Sequence, residues 1–145
     1  MRRYLVVAHQ TLDSAELLHA LRAHLDEGAC RFHLVVPELH RGGSGLTWTE
    51  GKVRAEANRR LEEARLRFVA EGLAVTGEVG DANPVDAVAA VLRRDGQDGY
   101  DGVIVSTLPL GVSKWLKLDA PTRIQRASGL PVEHVVASPT PAPAT

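Results

Sequence analysis

The chain has one cysteine, few aromatic residues, almost no excess of either charge and no long apolar run. Because Cys30 has no second cysteine to pair with, a disulfide-stabilised secreted scaffold is excluded. The net charge of -1 gives no overall reason to expect nucleic acid or an anionic membrane as a partner. No stretch approaches the roughly 20 apolar residues of a membrane helix, and the first apolar run is too short for a signal peptide. A cytoplasmic protein is therefore the expectation.

The apolar residues fall into short runs that alternate with helical patterns. With 145 residues, 44% of them apolar, the chain is long enough for one domain with a substantial core. The runs 4–8 and 102–105 lack the polar alternation of a half-exposed strand, which is typical of parallel strands covered on both faces, whereas 73–79 is a weaker strand. The predicted strands are 4–8, 32–36, 73–79, 102–105 and 132–136. This order predicts a single doubly wound α/β domain over residues 1–137, followed by a disordered Pro/Ala/Thr tail at 138–145.

Four helices are expected between these strands, each marked by a residue that can cap its first turn. Asp13 with Glu16, and Thr47 with Glu50, have the spacing of reciprocal capping pairs. Pro84 stands at the first helical position, which suits its missing N–H, and Gly129 is placed to end the last helix. The predicted N-caps are Asp13, Thr47, Asn83 and Asp119.

In an open parallel sheet, ligands bind beyond the carboxyl ends of the strands, where the strand order reverses. This rule selects residues that follow the first four predicted strands. The candidate ligand-binding residues are His9, Gln10, Thr11, Val36, Gly80, Asp81, Ser106 and Thr107.

Three stretches in order resemble the universal stress protein family. Residues 75–84, Val-Thr-Gly-Glu-Val-Gly-Asp-Ala-Asn-Pro, are similar to the family's third strand and the turn after it. Residues 100–107 are similar to its fourth strand and residues 129–132 to the entry of its last, so the likeness covers nearly all of residues 3–136. It implies helices on both faces of a five-stranded parallel sheet in the order 3-2-1-4-5. It also implies ATP or AMP as a ligand and a homodimer formed through strand 132–136, an apolar edge that invites pairing.

The chain departs from the family's ATP-binding pattern, Gly-x2-Gly-x9-Gly-Ser/Thr after strand four. Ser106 and Pro109 stand in the places of the first two glycines, and Pro109 has no N–H to offer a phosphate. Asp119 lies near the final Gly-Ser, while His9 or Gln10 replaces the family's aspartate after strand one. The loop still offers backbone access, a hydroxyl and a positive charge, so the further candidate ligand-binding residues are Gly111, Ser113 and Lys114.

These observations leave three classes of function open. The first is a small-ligand or nucleotide-binding regulatory domain in the stress response that is not a standard ATP binder. The second is an enzyme similar to adenine-nucleotide hydrolases, acting at the Ser106 loop. The third is a ligand-free interaction module whose loop is filled by residues 108–110. His9 and Ser106 lack the Gly-x-Ser-x-Gly elbow of a hydrolase, and the histidines lack metal-ligand spacing. We therefore assign no catalytic or metal-binding residue.

Overall fold

The computed structural model describes residues 1–38, 50–109, 113–117 and 119–137, with Glu50, Lys114 and Lys117 described by their backbone alone. The elements are β1 (Arg2–Val7), α1 (Ala15–Glu27), β2 (Cys30–Pro37), α2 (Glu50–Ala70), β3 (Val75–Gly80), α3 (Pro84–Asp95), β4 (Gly102–Thr107), α4 (Lys114–Lys117), α5 (Ala120–Ser128) and β5 (Val132–Val136). The predictions for Thr47, Gly111 and residues 138–145 concern positions outside the described residues.

Within the described part of the chain, the five strands form one parallel sheet in the order β3-β2-β1-β4-β5. This confirms the predicted doubly wound α/β fold. From β1 the chain moves outward through β2 to β3 at one edge of the sheet, then crosses back through α3 to β4 on the other side of β1. The strand order therefore reverses between β1 and β4.

Two hydrophobic clusters cover the two faces of the sheet. Val6 points into the cluster that α1 and α2 cover, together with Leu17 and Phe68. Leu5 and Val7 point into the opposite cluster, which α3 and α5 cover. Because successive side chains of a strand point to opposite faces, a strand buried on both faces reads as a continuous apolar run. The central strands could therefore be predicted from the sequence.

The predicted signals at Asn83 and Gly129 are confirmed, whereas Asp13 is not the cap of α1 and the Asp119 side chain makes no capping bond. Asn83 caps α3 through a bond from the Val85 amide, and Gly129 ends α5 in the left-handed conformation. The predicted cap Asp13 is wrong for α1: Ser14 is the cap, and its Oγ accepts from the Leu17 amide at 3.1 Å. The helix starts one residue later because Ser14 has the extended backbone from which a short hydroxyl reaches that N–H.

The strand bounds differ from prediction where pairing extends or shortens a run. β4 continues to Thr107 because Ser106 and Thr107 pair with β5. β3 starts at Val75 because the Leu73 amide instead donates to the Phe68 carbonyl, which closes the end of α2. β2 extends to Pro37, whose fixed φ suits an extended strand end. Among the described residues, no helix is both long and apolar enough to cross a membrane.

Candidate functional site

The candidate site lies at the carboxyl ends of β1 and β4, where the strand order reverses. Thr11 follows β1 in the turn that leads to α1, and Ser106 is the penultimate residue of β4. Their hydroxyl oxygens are 2.6 Å apart, so one hydroxyl donates to the other. Thr11 is 3% exposed and Ser106 is fully buried. The structure thus brings together two predicted site residues that are 95 positions apart in sequence.

Ser106 and Thr107 serve opposite faces of the sheet because they are consecutive in a strand. The Thr107 hydroxyl lies 2.7 Å from Nε2 of His134 on β5 and 2.8 Å from the Leu108 carbonyl, to which it donates. Partial burial lowers the pKa of His134 below its usual value of 6.5. Sequence reasoning missed His134. The available signal was a polar residue at the centre of a strand that was predicted to be apolar.

The turn between β1 and α1 contains the other predicted residues of this region. His9 is buried, whereas Gln10 is exposed. The Leu12 amide donates to the His9 carbonyl, and the Ser14 amide donates to the Thr11 carbonyl at 3.0 Å. These bonds give the turn a compact backbone over the end of the sheet.

The predicted residues after β2 and β3 have structural contacts of their own. Val36 is fully buried in the core on the α1/α2 side. A Cβ on Gly80 would lie 2.9 Å from Cβ of Ala87, so this glycine lets α3 approach the sheet. Asp81 is exposed, and its Oδ1 accepts from the Asn83 amide in the turn before α3. The geometry gives these residues packing and turn roles.

The predicted residues beyond β4 are only partly described. Ser113 is buried, and its Oγ accepts from the Leu116 amide at 3.2 Å at the start of α4, a turn that sequence patterns did not predict. The side chain of Lys114 lies outside the description, as does all of Gly111. Asp119 precedes α5 with a left-handed backbone, φ 55°, and its side chain makes no capping bond. Its carboxylate therefore stands at the start of a helix that would otherwise favour an anion.

A second group of polar side chains joins β2, β3 and α3, and we call it the β3 network. His33 on β2 lies 2.7 Å from both the Thr76 hydroxyl and the Glu78 carboxylate. Arg94 donates two bonds to Glu78, which hold the pKa of that carboxyl below its ordinary value. The same guanidinium bonds Asp95, whose carboxylate accepts from Tyr100 at 2.7 Å. The β3 network consists of His33, Thr76, Glu78, Arg94, Asp95 and Tyr100.

Arg94 also lowers the pKa of Asp95, and the Tyr100 hydroxyl adds to that effect. Burial and the bond to Asp95 raise the pKa of Tyr100. Each charged group of this network thus has an opposite charge or a polar partner inside the protein. Such pairing is typical of a structural role.

The strand-end site itself is polar and largely uncharged in its described side chains. Ser106, Thr11 and Thr107 offer hydroxyls, which can donate to or accept from a neutral polar group. In the part of the chain that the structure describes, no group of three His, Cys, Asp or Glu side chains is placed to hold a metal ion. In this conformation, the Thr11 and Ser106 hydroxyls bond each other and Thr107 donates to the Leu108 carbonyl, so all three groups have partners within the protein.

Solved structures of universal stress proteins share this fold. The chain is similar to a universal stress protein family member from Burkholderia pseudomallei, with 19% identity and a TM-score of 0.52, over 91% of this chain and 93% of that one. A family member from Arabidopsis thaliana with AMP bound has 10% identity and a TM-score of 0.57, over 94% and 92%. A universal stress protein in complex with cAMP has 17% identity and a TM-score of 0.54, over 94% and 98%.

These similarities define the class of the protein as an α/β domain with the universal stress protein architecture. The sequence matches no protein-family model and no curated protein. At these identities the similarity is one of fold.

Proposed function

We propose that the chain is a nucleotide-binding regulatory domain that takes its ligand at the carboxyl ends of β1 and β4. One observation carries the proposal: Thr11 and Ser106 meet at the point where the strand order reverses. That point is where open α/β sheets bind ligands. The AMP and cAMP found in two structures of similar fold support an adenine nucleotide as the ligand. A cytoplasmic role in the stress response belongs to the same proposal.

Two residues beyond β4, Asp119 and Pro109, favour a ligand with few phosphates. Asp119 places a carboxylate at the start of α5, where it repels a phosphate and occupies the favourable end of the helix dipole. Pro109 offers no N–H at the family's second glycine position. AMP or a cyclic nucleotide carries less charge into this field than ATP does. We therefore propose a preference for mononucleotides.

The test is binding of AMP, cAMP and ATP to the full chain, measured by calorimetry and by native mass spectrometry of the purified protein. We expect AMP or cAMP to bind more tightly than ATP. The absence of binding by all three nucleotides, together with no retained ligand, would contradict the proposal. Hydrolysis of a bound nucleotide would instead favour the hydrolase-like alternative.

Asp119→Asn sharpens this test because asparagine tolerates the left-handed backbone and removes only the charge. We expect ATP affinity to rise by about two- to fivefold and AMP affinity to rise less, since the effect scales with ligand charge. Asp98→Asn is the matched control, an exposed acid near the amino end of β4. Equal effects of both variants would show that Asp119 does not face the ligand.

One observation favours a second candidate, a ligand-free interaction module. Ser106, Thr107 and Val36 are each 2% exposed or less, so protein atoms cover the strand ends. A module of this kind would bind none of the nucleotides, and its Asp119→Asn variant would behave as the wild type does. The calorimetry described above separates the two candidates.

We also propose a homodimer through β5, because this strand lies at an edge of the sheet and Val136 is 45% exposed. The unpaired backbone N–H and C=O groups of an edge strand favour pairing with a second chain. Sedimentation at micromolar concentration should show a dimer that Val136→Lys weakens. Val69→Lys, on an exposed face of α2, is the control. A monomer at all concentrations would overturn this part of the proposal.

A further inference from the structure

The turn between β1 and α1 closes over the end of β4. The only bond between the Thr11 and Ser106 side chains is a neutral hydroxyl pair at 2.6 Å, and both residues are almost completely buried. A ligand that enters between this turn and the end of β4 must therefore first separate Thr11 from Ser106. The strand ends are closed to such a ligand in this conformation.

A second attachment holds the same turn from the side of α2. The Arg67 guanidinium donates to the Leu12 carbonyl at 2.6 Å. Thr11 and Leu12 are adjacent, so the turn is fastened to β4 through a side chain and to α2 through its backbone. The Arg67 bond has a charged donor and Leu12 is 3% exposed within the core, whereas the Thr11–Ser106 bond is neutral and contributes little net stability. The Thr11 side is therefore the weaker of the two attachments of the turn.

We propose that the Thr11–Ser106 hydrogen bond is a latch that keeps the nucleotide site closed until a ligand displaces it. This inference rests on the proposed nucleotide-binding function and assigns a regulation to that site. A ligand that binds only the open conformation has its apparent affinity reduced by the fraction of molecules that are open. Weakening the latch raises that fraction. The hydroxyls thus act on affinity by holding the turn in place.

The latch predicts that removing either hydroxyl tightens nucleotide binding. Ser106→Ala and Thr11→Val each delete the bond with little change in volume, and the remaining buried hydroxyl lacks its partner in the closed state. We expect AMP to bind about three- to tenfold more tightly to each variant. The double variant should gain no more than the better single one, because the same bond is lost once.

Hydrogen exchange of the unliganded full-length protein tests the latch without any nucleotide. The Ser14 amide reports on the turn because it donates to the Thr11 carbonyl. We expect its exchange to be faster in Ser106→Ala and Thr11→Val than in the wild type. Ser128→Ala is the matched control, since Ser128 is 2% exposed and its Oγ accepts from the Leu130 amide at the far end of α5. That variant should change neither Ser14 exchange nor AMP affinity.

Weaker or unchanged AMP binding by both latch variants would overturn the inference, as would unchanged exchange at Ser14. Weaker binding would mean that the hydroxyls contact the ligand directly. If the wild type and every variant fail to bind AMP and cAMP, the proposed function fails, and the exchange measurement alone then decides whether the latch exists.

Discussion

The buried hydroxyls at the strand ends and the β3 network use their hydrogen-bonding capacity differently. In the β3 network, Glu78 bonds both His33 and Arg94, so a carboxylate, an imidazole and a guanidinium satisfy one another. At the strand ends, Thr11 and Ser106 share one neutral bond. Glu78 bonds a buried imidazole and a guanidinium at once, whereas the hydroxyl pair is a single neutral bond, so more partners lose a bond when Glu78 is removed. We therefore expect the loss of Glu78 to destabilise the fold more than the loss of either hydroxyl does.

The largest expected effect comes from Glu78→Ala, which leaves both His33 and Arg94 without this carboxylate. We expect unfolding in urea to require about 1–3 kcal/mol less free energy, because the buried His33 loses a partner. Glu63→Ala is the matched control. Among the described residues, its carboxylate bonds the exposed Arg59, and such surface pairs contribute little. A loss no larger than that of the control would remove the structural role assigned to the β3 network.

The second prediction separates the two regions by their dependence on pH. The pKa values of Glu78 and Asp95 lie below the ordinary values of 4.5 and 3.8, because Arg94 bonds both carboxylates. Their contribution to stability is therefore complete above about pH 4.5 and is lost as the pH falls through their folded pKa values. The free-energy difference between wild type and Glu78→Gln should shrink from pH 7 to about pH 3.

Ser106→Ala provides the comparison for that experiment, since a hydroxyl does not titrate in this range. The difference in unfolding free energy between Ser106→Ala and the wild type should stay constant over the pH values at which both proteins remain folded. If the difference in unfolding free energy between Glu78→Gln and the wild type is equally constant, the lowered pKa of Glu78 is contradicted.

The third and smaller effect is the loss of unfolding free energy when the Thr11–Ser106 hydrogen bond is removed. Ser106→Ala and Thr11→Val should each cost about 1 kcal/mol in urea unfolding, and the double variant should cost less than their sum. This non-additivity measures the bond between them. Strictly additive costs would show that the two hydroxyls act independently.

The smallest effect concerns His134, which borders the strand ends through Thr107. Because partial burial lowers its pKa, the ring should titrate below pH 6.5 by NMR in the folded protein. The neutral form is favoured by folding, so its small contribution to stability is present above about pH 6.5 and fades as the pH falls. A titration midpoint of His134 at or above its midpoint in the urea-unfolded chain would contradict the lowered pKa.

Much of the fold was predictable because it depends on local patterns. The buried apolar runs of β1 and β4 predict central strands, and Asn83-Pro84 predicts a helix start. Each pattern depends only on residues close in sequence. The end of β4 was not predictable, since Ser106 and Thr107 extend the strand by pairing with β5. The start of α1 was misplaced by one residue because Asp13 and Ser14 are both good caps, and backbone geometry chose between them.

The candidate site was predicted as a set of positions at strand ends. Contacts across the sheet show which of these positions lie together and which have packing or turn roles. The sequence by itself determined an alternating α/β chain whose polar residues collect where the strands end, because burial and capping are read within a few residues. The tertiary structure decided that Ser106 faces Thr11 while Thr107 faces His134. It also decided that Gly80 serves α3 packing. Such choices depend on which distant strands become neighbours, and no local pattern records that.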